Sequence, residues 1–161
     1  MSDSGLITYS AISPSCNRPR KYPISKITPH HMAGNLSLKQ IAEIEGRPAR
    51  QMSSNYAIAS NGDIALLCHE ADRSWCSSSP ENDHRAITIE VANDQIGGNW
   101  HVSDAAFESL IALCVDICQR NGIKELKWKA DKSLIGQVDK QNMTVHRWFA
   151  NKACPGDYLY N

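Results

Sequence analysis

The chain has 161 residues, and 17 Lys and Arg are balanced by 17 Asp and Glu for a formal net charge of zero. A domain of this size hides roughly 70% of the surface its unfolded chain exposes, so a single domain with a real core is expected over residues 1–161. Zero net charge excludes holding nucleic acid or an anionic cell wall by bulk electrostatics, so any wall affinity must come from a shaped groove or a further domain.

The first residues, MSDSGLITYSAISPSCNRPRKYPISK, lack a basic region followed by an unbroken apolar stretch, and no run approaches the length of a membrane-spanning helix. Synthesis in a cytosol is expected, and the six cysteines should then remain mostly thiols or metal ligands. Residues 1–23, rich in Ser, Pro and Arg, read as an extended arm with one short strand at Leu6 to Tyr9. Ile24 to Met32 reads as a strand, although Pro29 cannot donate a ladder hydrogen bond and belongs at an edge or bulge.

Ser37 to Glu45 has helical spacing, with Ser37 and Gln40 placed as a capping box and Gly46 as a stop. Asn55 to Ser60 and Ile64 to Cys68 flank Asn61-Gly62-Asp63, the pattern of a hairpin. Cys68 to Asp83 is a polar loop long enough to carry function, with Trp75 and Cys76 in a Ser-rich context. Arg85 to Asn93 alternates Ile87, Ile89 and Val91 against Thr88 and Glu90, a strand with Glu90 facing away from the apolar row.

Ser103 to Arg120 is the longest predicted helix, capped by Ser103 and stopped at Asn121-Gly122. Phe107, Leu110, Ile111, Cys114 and Cys118 are expected on its buried face, with the two cysteines as packing rather than ligands. Leu126 to Ala130 is predicted as a further strand, Asp131 to Met143 as a polar excursion, and Thr144 to Trp148 as the segment returning to a cleft. Strands alternating with helices, plus one hairpin, predict an α/β domain with a mixed sheet flanked by helices.

Chemistry concentrates in TVHRWFANKACPGDYLY, residues 144–160, where His146, Lys152 and Cys154 fall within nine residues. Zn²⁺ takes imidazole nitrogen and thiolate sulfur together, and a catalytic site needs three protein ligands with one position open. The third ligand would come from the His30-His31 pair, of which only one can face a given ion because neighbouring strand side chains point to opposite faces. Taken singly, a His-His pair at a strand end and a Cys-Pro-Gly turn are also ordinary structural features.

HHMAG at 30–34, SNYAIASNGDI at 54–64, RSWCSSSPENDHRAITIEV at 73–91 and VHRWFANKACPG at 145–156 together resemble the zinc-dependent type 2 N-acetylmuramoyl-L-alanine amidases. These share a fold with the peptidoglycan recognition proteins, and the resemblance is strongest to phage and prophage lysins of Gram-positive bacteria. It implies a central mixed sheet flanked by helices, Zn²⁺ on His30, His146 and Cys154, and Glu90 as the catalytic carboxylate. It further implies Lys152 and Tyr56 at the scissile carbonyl, and Trp75, Asn82 and His31 as substrate contacts. Relatives usually have an apolar residue at position 29, and many have Trp-His where this chain has Trp75-Cys76, so one substrate contact is missing or replaced.

The resemblance implies hydrolysis of the amide between N-acetylmuramic acid and L-alanine, on a substrate of glycan strand plus stem peptide, without nucleic acid or membrane insertion. A lysin of this kind needs a separate device to cross the membrane, and the resemblance leaves room for a wall-binding domain beyond residue 161. Two alternatives are a peptidoglycan-binding module without catalysis and a zinc peptidase cutting the stem peptide.

Overall fold

The computed structural model describes residues 2–161. In chain order the strands are β1 (Tyr9–Ser10), β2 (Cys16–Asn17), β3 (Lys26–His31), β4 (Tyr56–Ile58), β5 (Ile64–Leu66), β6 (Arg73–Ser74) and β7 (Ala86–Val91). The α-helices are α1 (Leu38–Glu45), α2 (Pro80–Asp83), α3 (Asp104–Arg120) and α4 (Asp157–Tyr160). Five strands form one mixed sheet in the order β1-β5-β4-β7-β3, antiparallel only between β4 and β5, while β2 and β6 pair separately. The expected architecture of a mixed sheet flanked by helices is the one observed.

One face of this sheet packs Ile27, Tyr56, Ile58, Ile87, Ile89 and Val91 against Leu110, Leu113 and Ile117 of α3. The other face sets Ala57, Ala65 and Leu67 beneath Ile41 and Ala42 of α1. Local signals act where expected. Ser37 caps α1 in a reciprocal box with Gln40, and Ser103 caps α3. Gly62, at φ 91°, closes the β4–β5 turn with its N–H on Ala59 O at 2.9 Å. Among the described residues no helix is long and apolar enough to cross a membrane, and all six cysteines are unpaired.

Pro29 is accommodated by the position of its strand. β3 is the sheet edge, and its even-numbered residues face β7 through their N–H groups while the odd-numbered ones face outward. Outward there is a single bridge, with Ile27 N–H on Asn142 O at 3.1 Å and Thr144 N–H on Ile27 O at 3.3 Å. The missing N–H of Pro29 therefore costs no ladder bond.

Three expectations are corrected. The strand of the N-terminal arm is Tyr9–Ser10 and not Leu6 to Tyr9: β1 adds to β5, and buried Arg20 donates to the carbonyls of Glu70, Asp72, Asp83 and Ala86. Leu126 to Ala130 forms no strand, because side chains of the next segment satisfy its backbone: Asn142 accepts from Lys127 N–H at 2.7 Å and Gln141 from Lys129 N–H at 3.0 Å. The buried stripe of α3 is Ala106, Leu110, Leu113, Cys114, Ile117 and Cys118, which leaves Phe107 38% and Ile111 51% exposed. Ala106 takes the core position in the first turn, and Phe107 lies edge-on to Tyr158 instead.

Candidate metal centre

His30 lies near the end of β3, in register with Glu90 on β7 and Ala57 on β4, so the three share the α1 face of the sheet. The loop between β6 and α2 folds over that face. Its shape is held by the Asp83 carboxylate, whose Oδ2 accepts from Cys76 N–H at 3.0 Å and Ser77 N–H at 2.9 Å. This sets Ser77 Oγ 3.1 Å from His30 Nε2 and Ser78 Oγ 2.9 Å from His146 Nε2. With Nε2 occupied, His30 turns Nδ1 toward Cys154 Sγ at 3.2 Å and Glu90 Oε1 at 3.9 Å.

His146 opens a short 3-10 turn, His146–Trp148, and the chain then loops back to Cys154. Arg147 pins this loop, donating from its backbone N–H to Cys154 O at 3.1 Å and from Nη2 to Ala153 O at 2.8 Å. Gly156 is required at the end of the loop: its φ is 80°, and a Cβ there would lie 2.6 Å from Trp100 Cβ and 3.1 Å from His31 Nδ1.

A donor atom from each of His30, His146 and Cys154 lies within 4.8 Å of the others, as does one from each of His30, Cys76 and Glu90. The first set, two imidazoles and a thiol, suits a tetrahedral Zn²⁺ that keeps one position open. Burial, followed by the neighbouring His146 and His31, holds His30 well below the ordinary imidazole range, so it is neutral and ready to ligate. Burial and then the Lys152 ammonium lower His146 in the same way. Burial and the Glu90 carboxylate push the Cys154 thiol up, an effect that a cation in the site would reverse.

Glu90 is 7% exposed, its Oε2 has no hydrogen-bond partner, and its Oε1 accepts only from the Cys76 thiol at 3.7 Å. Burial raises its pKa to about 8, with a small opposing effect from Cys76. Beside a neutral His30, this carboxyl is not half of an ion pair at pH 7. An orphaned buried oxygen next to an imidazole-thiol cluster is the feature that a bound cation and an attacking water would satisfy.

A model of the N-acetylmuramoyl-L-alanine amidase family matches residues 20–157. The chain belongs to this family. Among solved structures, the amidase endolysin LysCS from Clostridium intestinale is 19% identical, with 93% of this chain and 84% of that one covered at a TM-score of 0.61. The Ph2119 endolysin from a Thermus scotoductus bacteriophage is 18% identical, with 87% and 82% covered at 0.58. The Drosophila peptidoglycan recognition protein SA is 19% identical, with 89% and 79% covered at 0.62. At these identities the structures establish a shared fold. No match was found among curated protein sequences.

Within this amidase family member, Tyr56 sits away from the cluster, and Asn82 and His31 are largely buried. Tyr56 shares a row with Ile89 and Pro29 on the α3 face, fully buried, where its hydroxyl donates to Glu70 and accepts from Ser4 N–H. A side chain on the opposite pleat cannot reach the cluster. Asn82 is 2% exposed and engaged, accepting from Lys26 and Thr144 and donating to Thr28 at 3.0 Å, so it ties elements together at the edge of a cavity away from the metal cluster. His31 is 6% exposed and held edge-on against Trp100, with ring centroids 4.9 Å apart.

Trp75 is partly buried, and its indole N–H donates to Asn17 at 2.7 Å, anchoring β2 to the loop. Lys152 is exposed on the Cys154 loop, close enough for its charge to act on His146. Sequence reasoning missed Ser77 and Ser78 as the partners of the two histidines, Asp83 as the brace of their loop, and Cys76 as the neighbour of Glu90. The run of serines at 77–79 followed by Asp83 was the available signal.

Proposed function

We propose that this chain is a zinc-dependent amidase that cleaves the bond between N-acetylmuramic acid and L-alanine in peptidoglycan, as the catalytic domain of an endolysin. The carrying observation is the convergence of His30, His146 and Cys154 beside a buried Glu90 with an unpartnered oxygen. Bound there, Zn²⁺ would supply a Lewis acid that polarises a carbonyl and acidifies water. Ser77 and Ser78 orient the two imidazoles toward it.

Glu90, buried and protonated in the metal-free chain, would be held as the carboxylate by a cation in the site, and that carboxylate takes a proton from the attacking water and returns it to the departing L-alanine nitrogen. Lys152 at the exposed rim brings positive charge to the developing oxyanion, a contribution whose loss costs about 10²-fold or more in rate. Tyr56 has no part in this scheme. The family match and the endolysin folds support the reading.

Metal analysis of the purified protein combined with mass spectrometry of digested peptidoglycan tests it. One zinc per chain and new N-terminal L-alanine, both lost in Cys154→Ser, are the expected results. Zinc without hydrolysis would make the chain a binding module, and a new amine within the stem peptide would make it a peptidase. Absence of bound zinc after loading would overturn the assignment of the cluster.

A further inference from the structure

Cys16 and Cys68 lie on segments that come together only in the folded chain, and neither belongs to the metal centre. Cys16 is on β2, in register with Ser74 of β6, and Cys68 follows β5 at the root of the loop that carries Ser77 and Ser78. The arm reaches this root by running beside β5: Ala11 N–H donates to Leu66 O at 3.0 Å and Ser13 N–H to Leu67 O at 2.8 Å. Residues 53–55 lie against both cysteines. Ser53 Oγ is 3.7 Å from Cys16 Sγ and donates to Ser15 O at 2.7 Å, while Asn55 O accepts from Cys68 N–H at 3.3 Å. The two thiols hydrogen-bond to each other. Cys16 is 8% exposed and Cys68 is fully buried, so the pair is reached from the Cys16 side.

The two thiols are chemically unequal. The hydrogen bond with Cys68 lowers Cys16 to about 7; burial opposes it, and Ser53 and the Arg18 guanidinium add to it. Arg18 is fixed beside the pair, donating from Nη2 to Ser13 O at 3.0 Å and facing Asp72 at 3.3 Å. The same thiol-thiol contact, with burial, pushes Cys68 up and keeps it protonated. A thiolate attacks an oxidant, and a second thiol in contact with it resolves the product as a disulfide before further oxidation. Cys114 and Cys118 on α3 lack this asymmetry, since burial pushes both of those thiols up.

We propose that Cys16 and Cys68 are an oxidant-responsive modification site, closed by a peroxide into a disulfide that ties the N-terminal arm to the root of the 68–83 loop. The Cys16 thiolate attacks one oxygen of hydrogen peroxide and the O–O bond breaks, giving a sulfenic acid and a hydroxide that takes up the proton Cys16 had released. The Cys68 sulfur then attacks the Cys16 sulfur, the S–O bond breaks, and the hydroxyl leaves with the Cys68 proton as a second water. The thiols are oxidised to the disulfide and the peroxide is reduced to water. Residues 16–68 become one covalent loop, which restricts the unfolded chain and fixes the base from which Ser77 and Ser78 reach His30 and His146. The site stands whether or not the chain hydrolyses peptidoglycan.

The test treats the purified full chain with equimolar hydrogen peroxide, maps disulfides by mass spectrometry of the unreduced digest, and records the thermal midpoint before and after dithiothreitol. The Cys16 and Cys68 peptides are expected to be joined and the midpoint to rise by about 5–10 °C, both reversed by the reductant. Cys16→Ser, at the more exposed position, and Cys68→Ala should each abolish the joined peptides and the rise, while Cys114→Ser should keep both.

Wild type that keeps both thiols free after peroxide overturns the proposal, as does a disulfide that uses Cys76 or Cys154 instead. A sulfinic acid at Cys16 overturns it too, because Cys68 would then have failed to resolve the first product. An unchanged midpoint in the joined chain does the same, since the bond would not be fastening the arm.

Discussion

On the α3 face of the sheet, β3 and β7 contribute Ile27, Ile87, Ile89 and Val91 to an apolar core, while on the other face they contribute Lys26, Thr28, His30, Thr88 and Glu90. All nine are buried, yet burial means something different on each side. Apolar burial stabilises the fold by removing hydrocarbon from water. Polar burial costs stability unless each group is paired, and here Thr28 with Thr144 and Thr88 with Ser74 are paired while Glu90 Oε2 is not. The period-two pleat lets one pair of strands support the fold and hold chemical groups in a poised state, so substitutions on the two faces should separate stability from activity.

The largest separation is expected at Cys154. Cys154→Ser should lose bound zinc and lower amidase turnover by more than about 10³-fold, with the thermal midpoint of the metal-free protein changed little; metal analysis and a hydrolysis assay measure both. An unchanged zinc content would remove Cys154 from the ligand set.

Glu90→Gln should lower turnover by about 10²- to 10⁴-fold and also stabilise the metal-free protein at alkaline pH. The folded-state pKa of Glu90 is raised above its ordinary 4.5 to about 8, so the folded state holds a proton that the unfolded chain has released. The resulting stability is full below about pH 4.5 and is lost as pH rises through 8. The melting temperature of Glu90→Gln relative to wild type, with chelator present, should therefore climb between pH 5 and pH 8, by an amount equivalent to about 1–3 kcal/mol. A difference independent of pH would mean that Glu90 is already ionised in the metal-free fold.

On the apolar face the order of effects reverses. Leu113→Ala, at a fully buried α3 position, should cost about 2–5 kcal/mol of stability and leave zinc stoichiometry and the KM for muramyl peptides unchanged when assayed well below the melting point. Tyr56→Phe should have the smallest effect, about 1–2 kcal/mol from the lost hydroxyl contacts with Glu70 and Ser4, with kcat intact. A large loss of kcat in Tyr56→Phe would contradict its placement on the α3 face.

The distinction between faces also marks where sequence reasoning succeeded. Period-two alternation in β7 placed Glu90 opposite Ile87, Ile89 and Val91 without any structure, because a pleat enforces that alternation. Capping at Ser37 and Ser103 was equally readable, since a cap is made by residues three apart in the chain. Tyr56 was misassigned because its own neighbourhood does not record which side of β4 meets α3. The packing of Asn82 and His31 was not readable because their partners, Thr28, Thr144 and Trp100, lie up to 69 residues away in sequence.

By itself the sequence determined helices α1 and α3 with their caps, the hairpin turn at Gly62, the alternation of β7, and a set of residues able to bind metal. These depend on local geometry and on side-chain chemistry, both of which are written in short stretches of chain. Only the tertiary structure decided that Ser77 and Ser78 hydrogen-bond His30 and His146, that Asn142 replaces a strand partner for Lys127, and that Lys26 lies buried against Asn82. Each of these depends on which distant segments are packed together, and on how much water that packing removes.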